Sequence, residues 1–392
     1  MKILSVTAQR PDSTGSGIYL TELIKGFKKM GCEQAVICGS TKEDVVSMPE
    51  GVQVHSVFYE TDLLPYPIAG MSDEMPYEST RYRDMTEDMT KQFDQAFLSK
   101  VRQVVDAFQP DLILCHHLYY LASLIREVYP EKRIYGICHG SDLRQVKKNP
   151  WKRAYIQKWI PKLDKICVLH EEQKQAICSF YECEEDHVEV IGTGYNHEMF
   201  YRTEGNREGI LFAGKISEKK GVKSLIRAME YLQEEKMTLS LAGGYGNQEE
   251  YEEITALAEA SSCKVQFLGK LTQDELREAM NRHEIFALPS FYEGLPLTVI
   301  EAMACGDRVV CTDLPGIKPW LDGSLPVHNC VFIEPPKMKN EDEPIEEELP
   351  SFEKRIAEAI QKARMLEQVP TKELEKLSWL GLCKHLLSWS EK

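Results

Sequence analysis

Two glutamates eight residues apart stand in the segment Ser290-Phe291-Tyr292-Glu293-Gly294-Leu295-Pro296-Leu297-Thr298-Val299-Ile300-Glu301. The apolar run 284–288 before them reads as a strand. A helix should open near Leu295, with Pro296 tolerated in its first turn and Gly306 ending it. Glu293 is then expected at the carboxyl end of a strand, where open α/β sheets bind ligands. Glu301 falls about two turns further along. The backbone N–H groups of Leu297 and Thr298, at the positive end of that helix, suit a diphosphate. An ordinary βα unit, with one acid in its loop and one on its helix, would give the same spacing.

Three further clusters carry residue types able to do chemistry. Gly214-Lys215-Ile216-Ser217-Glu218-Lys219-Lys220-Gly221 follows the apolar run 209–213 and opens a helix. Lys215 and Lys220 beside a helix start could neutralise a diphosphate without a metal, although basic βα turns are common. His139-Gly140-Ser141-Asp142 follows the run 133–138, which places His139 at a strand end. A lone histidine is more often structural, and Asp142 could equally touch a sugar or cap the next turn. Thr14-Gly15-Ser16-Gly17 lies between the first strand and the first helix. Gly15 and Gly17 make G-x-G without a third glycine, and Ile37-Cys38-Gly39-Ser40 lacks the acid that would hold the ribose of a nicotinamide dinucleotide. A dehydrogenase is therefore disfavoured.

These segments together resemble glycosyltransferase family 4. The arrangement Glu293…Glu301 within EGLPLTVIEAMACG is similar to the family signature, and Lys215 and Lys220 match its diphosphate-gripping Arg and Lys. His139-Gly140 is similar to the family's HG motif. The resemblance implies a retaining, nucleotide-sugar-dependent enzyme of the GT-B fold, with no metal or other cofactor. It implies that Glu293 contacts the transferred sugar and that Glu301 bonds the ribose hydroxyls. His139 would lie beside the donor sugar and diphosphate, and Gly15 and Gly17 would close over the donor phosphates or the acceptor. Gly244, in Ala242-Gly243-Gly244-Tyr245-Gly246, and Leu271, after Val265-Gln266-Phe267-Leu268-Gly269-Lys270, fall on the donor side with Gly294, Leu297 and Thr298. A tight turn and a buried strand would explain those two stretches equally well. Three departures stand out. Lys215 replaces an Arg and loses its bidentate fork. The stretch 313–320 lacks the family's Glu, and Thr193 replaces an Asn before Gly194.

The elements that must position these residues alternate throughout the chain. Apolar runs at 2–6, 33–38, 52–57, 111–115, 133–138, 165–169 and 188–191 read as strands in the first half. Those at 209–213, 237–242, 264–268, 284–288, 308–312 and 331–333 do so in the second, with helices near 221–233, 248–260, 273–281 and 295–304. Continuous apolar strands such as Leu112-Ile113-Leu114-Cys115 suit a parallel sheet covered on both faces. The expected class is α/β: two doubly wound Rossmann-like domains with an interdomain cleft. The expected division is an acceptor-side domain over 1–195, a donor nucleotide-sugar domain over 196–365, and C-terminal helices 366–392 packing back on the first. Segments 58–86 and 335–350 interrupt the alternation, the first as a long loop suited to binding, the second as a solvated acidic loop.

Bulk composition narrows the classes. The 392 residues carry a net charge of −15, which argues against nucleic acid as a partner. No apolar run reaches the roughly 20 residues of a membrane span, and Met1–Val6 is too short for a signal-peptide core, so a cytoplasmic protein is expected. The twelve scattered cysteines form no C-x-x-C pair and read as reduced core residues. His116 and His117 lack the ligand set of a zinc site. Between 147 and 165, seven lysines and arginines surround Trp151 and Trp159, a stretch suited to anionic lipid, to a phosphorylated acceptor, or simply to solvent. The expected partners are a nucleotide-sugar donor, a uridine one favoured over guanosine, and a carbohydrate or lipid-linked acceptor. Three rivals stay open: a glycoside hydrolase, a non-catalytic nucleotide-sugar-binding partner of another transferase, and a sugar epimerase of the same fold.

Overall fold

The computed structural model describes residues 1–11, 14–72, 75–235, 237–293, 295–340, 343–367 and 371–389. The chain divides into two compact units, Met1–Gly192 with Leu382–Lys392, and Thr193–Gly381.

In the first unit seven strands form one wholly parallel sheet, in the order Gln53–Phe58, Glu33–Ser40, Lys2–Val6, Leu112–His116, Ile134–Ile137, Lys165–Val168, Val188–Val190. The central strands are buried along their whole length, as parallel strands covered on both faces must be. The order reverses between Lys2–Val6 and Leu112–His116, which makes their carboxyl ends the switch point of the sheet. The second unit repeats the design with six parallel strands, in the order Lys264–Gly269, Thr238–Ala242, Ile210–Ala213, Ile285–Leu288, Arg308–Thr312, Cys330–Ile333. Its switch point lies between Ile210–Ala213 and Ile285–Leu288.

Two expectations need correction. Segment 58–86 is no open loop: Tyr59, Leu64, Tyr66, Ile68 and Tyr82 are buried in the first unit's core. Tyr59 packs on Phe97 and Tyr82 on Phe93 of the helix Glu87–Phe108. Aromatics placed without helical or strand period still find burial by folding onto a neighbouring helix face, and the apolar area removed from water holds the segment. The C-terminal boundary also moves. Tyr195 pairs with residues 377–379 through Tyr195 N–H to Leu377 O (3.3 Å) and Trp379 N–H to Tyr195 O (3.1 Å). These bonds tie both 193–195 and the chain up to Gly381 to the second unit. Only from Leu382 does the chain belong to the first, where the Cys383 thiol donates to Leu23 O and Trp389 sits edge-on to Tyr135. In segment 335–350, the bridge Met338–Pro344 and the short helix Glu346–Glu348 give the loop local structure. All twelve cysteines are free thiols.

Candidate active site

In the second unit the site forms at the switch point. The strand Ile210–Ala213 runs into Gly214 and Lys215, and a single turn, Glu218–Lys220, then presents Lys220. Gly221 ends that turn in the left-handed region (φ 69°), and a β-carbon there would collide with Pro289 O, so none has a place. The close approach docks this loop onto the next one, where Phe291 N–H donates to Lys219 O (2.9 Å). Lys220 Nζ thereby reaches Glu293 Oε1 at 2.6 Å, and the Ser290 hydroxyl donates to the same oxygen at 2.8 Å. Both partners of the ion pair are half-buried. A cation and a carboxylate therefore stand side by side at the end of the strand Ile285–Leu288.

The helix Leu297–Cys305 opens just beyond. Pro296 precedes it without any side-chain cap, so the first-turn N–H groups of Leu297 and Thr298 keep their capacity to bind an anion. Val299, Ile300, Ala302 and Met303 bury its other face, which leaves Thr298 and Glu301 half-exposed. Lys215, Gly244, Leu271 and Thr298 line one cavity of about 380 Å³, together with Lys270 and Tyr245. Lys220, Glu293, Leu297 and Glu301 do not line it, and Gly294 lies outside the described residues. Sequence reasoning passed over the Lys270 side chain and the Ser290 hydroxyl. Each follows a strand's carboxyl end by one or two residues, the signal that could have found them.

The first unit builds a different constellation at its own switch point. His116 closes the strand Leu112–His116, His117 follows at φ 76°, and His139 follows the strand Ile134–Ile137. Register places His116 opposite Ile137, so the three imidazoles converge. His116 Nδ1 lies 3.2 Å from His139 Nε2, with the two rings 13° from parallel. His117 Nε2 lies 3.2 Å from Gln9 Oε1 and 3.1 Å from the Ser16 hydroxyl, which ties the cluster to the glycine loop. In that loop Thr14 caps the helix Gly15–Lys29 by accepting from Gly17 N–H, and a β-carbon on Gly17 would stand 2.7 Å from the Pro11 carbonyl carbon. Gly15 has open space around it. Gly17 is thus fixed by packing, and Gly15 is free of that demand.

Asp142 resolves one alternative. It is completely buried and accepts from the backbone N–H groups of Leu118 (2.8 Å), His139 (3.2 Å) and Leu143 (3.1 Å), as well as from the Cys138 thiol. It ties two strand-end loops together. Burial, then the charges of His117 and His116, holds the His139 imidazole well below its usual pKa. Burial pushes His116 down to about 3 and lowers His117 as well, against the opposing pull of Asp142. The cluster is neutral near pH 7. Among the described residues no group of His, Cys, Asp and Glu is arranged to hold a metal ion.

In the basic stretch, Trp151 packs against Tyr82, Tyr119 and Tyr120, and Trp159 lies beneath the ammonium groups of Lys158 and Lys162 (4.7 and 4.3 Å). Lys147, Lys148, Lys158 and Lys162 are exposed. Among the described residues no helix is long and apolar enough to cross a membrane.

Two family models match consecutive parts of the chain: Glycosyltransferase Family 4 over residues 13–199, and Glycosyl transferases group 1 over residues 195–322. The chain belongs to glycosyltransferase family 4. Among its relatives is an uncharacterised glycosyltransferase of Methanocaldococcus jannaschii, 28% identical over 39% of this chain and 43% of its own length. The chain therefore aligns with less than half of that relative. A D-inositol 3-phosphate glycosyltransferase of Streptomyces bingchenggensis is 23% identical over 78% of this chain and 71% of its own. Among solved structures, HepE of Anabaena in complex with UDP and glucose covers all of both chains, with a TM-score of 0.62 at 15% identity. That likeness shows the fold, GT-B, with its two α/β units.

Proposed function

We propose that this chain is a retaining glycosyltransferase. It moves a sugar from a nucleoside-diphosphate sugar, uridine favoured over guanosine, to a hydroxyl of a carbohydrate or lipid-linked acceptor, and needs no metal. The observation that carries this reading is the Lys220–Glu293 pair at 2.6 Å, set at the switch point of the second unit next to an uncapped helix start. A diphosphate competes with Glu293 for Lys220 and takes a second cation from Lys215. Uridine follows from the donors common in the family, and HepE of Anabaena, which is similar in fold, is described in complex with UDP and with UDP-glucose.

In the reaction the bond from the anomeric carbon to the diphosphate oxygen breaks through an oxocarbenium-like state. The acceptor oxygen bonds the same carbon from the same face, and its proton passes to the departing phosphate oxygen. No protein base is required. The main task is to stabilise charge on the leaving diphosphate, which Lys215, Lys220 and the N–H groups of Leu297 and Thr298 perform by fixed electrostatics. Glu293 is assigned to the transferred sugar, Glu301 to the ribose, and His139 to the catalytic set in the first unit. Gly15, Gly17, Gly244, Leu271 and Gly294 complete the donor-binding assignment.

A hydrolase would have no use for the paired lysines, and a mere binding partner would not need Glu293 for turnover. Thermal-shift titration with UDP, GDP, UDP-glucose, UDP-galactose, UDP-N-acetylglucosamine and GDP-mannose tests the reading, since a ligand of the folded state raises the melting temperature. A shift with the uridine compounds is expected, and none with any of the six would sink it. A lipid-linked acceptor would also bring the exposed lysines 147–162 to an anionic surface, which cosedimentation with phosphatidylglycerol vesicles would detect.

A further inference from the structure

We propose that His116 is a positioning residue for His139: its Nδ1–H donates to His139 Nε2 and so fixes His139 as the tautomer that carries its proton on Nδ1. The inference rests on the reading that gives His139 a part in sugar transfer, and adds what that histidine presents and what holds it.

The two nitrogens stand 3.2 Å apart between nearly parallel rings, so one donates and the other accepts. The remaining nitrogen of His116 decides which. His116 Nε2 is buried with no hydrogen-bond partner among the described residues. Were His139 the donor, neutral His116 would carry its proton on Nε2, an orphaned N–H in the core. Such groups are rare in folded proteins. With His116 as donor, only a lone pair is left there. Burial keeps both rings neutral near pH 7, so neither escapes this choice by taking a second proton.

The rest of the surroundings pins the ring. The His139 backbone N–H is held by Asp142, the Tyr19 ring meets it edge-on at 5.2 Å, and His117 meets it edge-on at 4.9 Å. Tyr19 is itself fixed through its hydroxyl, which donates to Gly192 O at 2.9 Å. With Nε2 occupied, Nδ1–H is the one hydrogen-bonding nitrogen left to the ring. His139 then offers a neutral donor, suited to a sugar hydroxyl oxygen or a departing phosphate oxygen, and does not act as a proton acceptor. The same wiring explains why two histidines stand at the end of Leu112–His116: His116 orients His139, while His117 anchors to Gln9 and the glycine loop through Ser16.

Nitrogen-15 NMR of histidine-labelled full-length chain, without substrate, reads the tautomer directly. A protonated Nδ1 and a bare Nε2 are expected for His139, and the reverse would overturn the proposal. His116→Leu removes the donor and should give His139 a mixed-tautomer spectrum. Turnover, read as UDP release from the UDP-sugar that the titration selects, should fall roughly 10–100-fold in kcat, with the donor KM moving less than about threefold. His116→Asn, whose amide N–H can stand where Nδ1–H stands, should recover most of the loss. Normal kcat in His116→Leu would overturn the positioning role. If that variant does not fold, the spectrum of the unaltered chain and the kinetics of His116→Asn still decide. Normal turnover in His139→Ala would instead sink the catalytic reading of His139 and leave the tautomer assignment to its own spectrum.

Discussion

The two units share a topology and differ in the chemistry set at its switch point. Each sheet reverses order beside its first strand, and in each the two flanking loops carry the residues of interest. In the first unit those residues are neutral and, His139 being half-buried, otherwise buried: three histidines with depressed pKa values, a glutamine, and an aspartate saturated by backbone donors. In the second they are charged and half-open: Lys220 against Glu293, with Lys215 and Lys270 in the adjoining cavity and an uncapped helix start nearby. The fold supplies the place, and the loops supply the chemistry. A site that must take up a diphosphate keeps mobile cations within reach of water. A site that offers neutral donors can be wired largely within itself before any ligand arrives, as His116, His139 and His117 are.

The sharpest way to break this contrast is to remove one side at a time. Lys220→Ala and Glu293→Gln should each lower kcat by about 10²–10³-fold, the range seen when a fixed group facing transition-state charge is lost. Lys220→Ala should also weaken UDP binding by calorimetry. His139→Ala should lower turnover while leaving the UDP dissociation constant within about twofold, because both diphosphate-gripping lysines and the ribose-binding Glu301 are assigned to the other unit. Loss of UDP binding in His139→Ala would end the division of labour.

Asp142 tests whether the first unit's cluster is held as tightly as its bonds suggest. Asp142→Ala orphans the N–H groups of Leu118 and His139, at roughly 1–3 kcal/mol each. At roughly 2–4 °C per kcal/mol for a unit of this size, the melting transition of the first unit should fall by roughly 4–24 °C. UDP should still raise the melting temperature of the second. A variant that melts unchanged would show that the loops hold without their shared acceptor.

The same cluster predicts a pH effect of defined sign. The folded pKa of His116 lies at about 3, below its ordinary 6.5, so the unfolded chain binds the extra proton first. Stability is complete above about pH 6.5 and falls as the pH drops toward 3, by roughly 1.4 kcal/mol per pH unit from this group alone. Below pH 3 the loss stops growing. Denaturant titrations from pH 7 to pH 5 should show the slope, and His116→Leu should reduce it by this group's share, leaving the shares of His117 and His139. An equal slope in both would clear His116 of the effect.

How much of this was legible in the sequence depended on whether the partners lie close along the chain. Lys215 and Lys220, or Glu293 and Glu301, each sit on one βα connection, so their spacing already implied a shared strand end. The strands themselves were legible because buried parallel strands are continuous apolar runs, as in Leu112–His116. The pairing of His116 with His139 was not legible: 23 residues separate them, and only the register that sets His116 opposite Ile137 joins them. Two histidines in a row offered no sign that one would hold a third. Lys270 was hidden for the same reason, since it reaches the cavity from the outermost strand of its sheet. The burial of Tyr59, Tyr66 and Tyr82 was missed because prolines and acids around them broke every period, while the helix that buries them begins only at Glu87.

The smallest expected effect bears on how open the charged site is. Lys215 is exposed, and its ammonium lies against Gly246 at the edge of the cavity, where no side chain stands in its way. A lysine there offers a point charge, while an arginine offers a planar fork able to take two phosphate oxygens at once. Lys215→Arg should therefore tighten UDP binding by about threefold, a gain limited because the cation stays in contact with water. Raising the salt concentration should weaken binding in both forms, as expected for charges that solvent can screen. Unchanged or weaker binding in Lys215→Arg would mean that this cation is placed for something other than the diphosphate. The charged side of the comparison would then rest on Lys220 and Lys270.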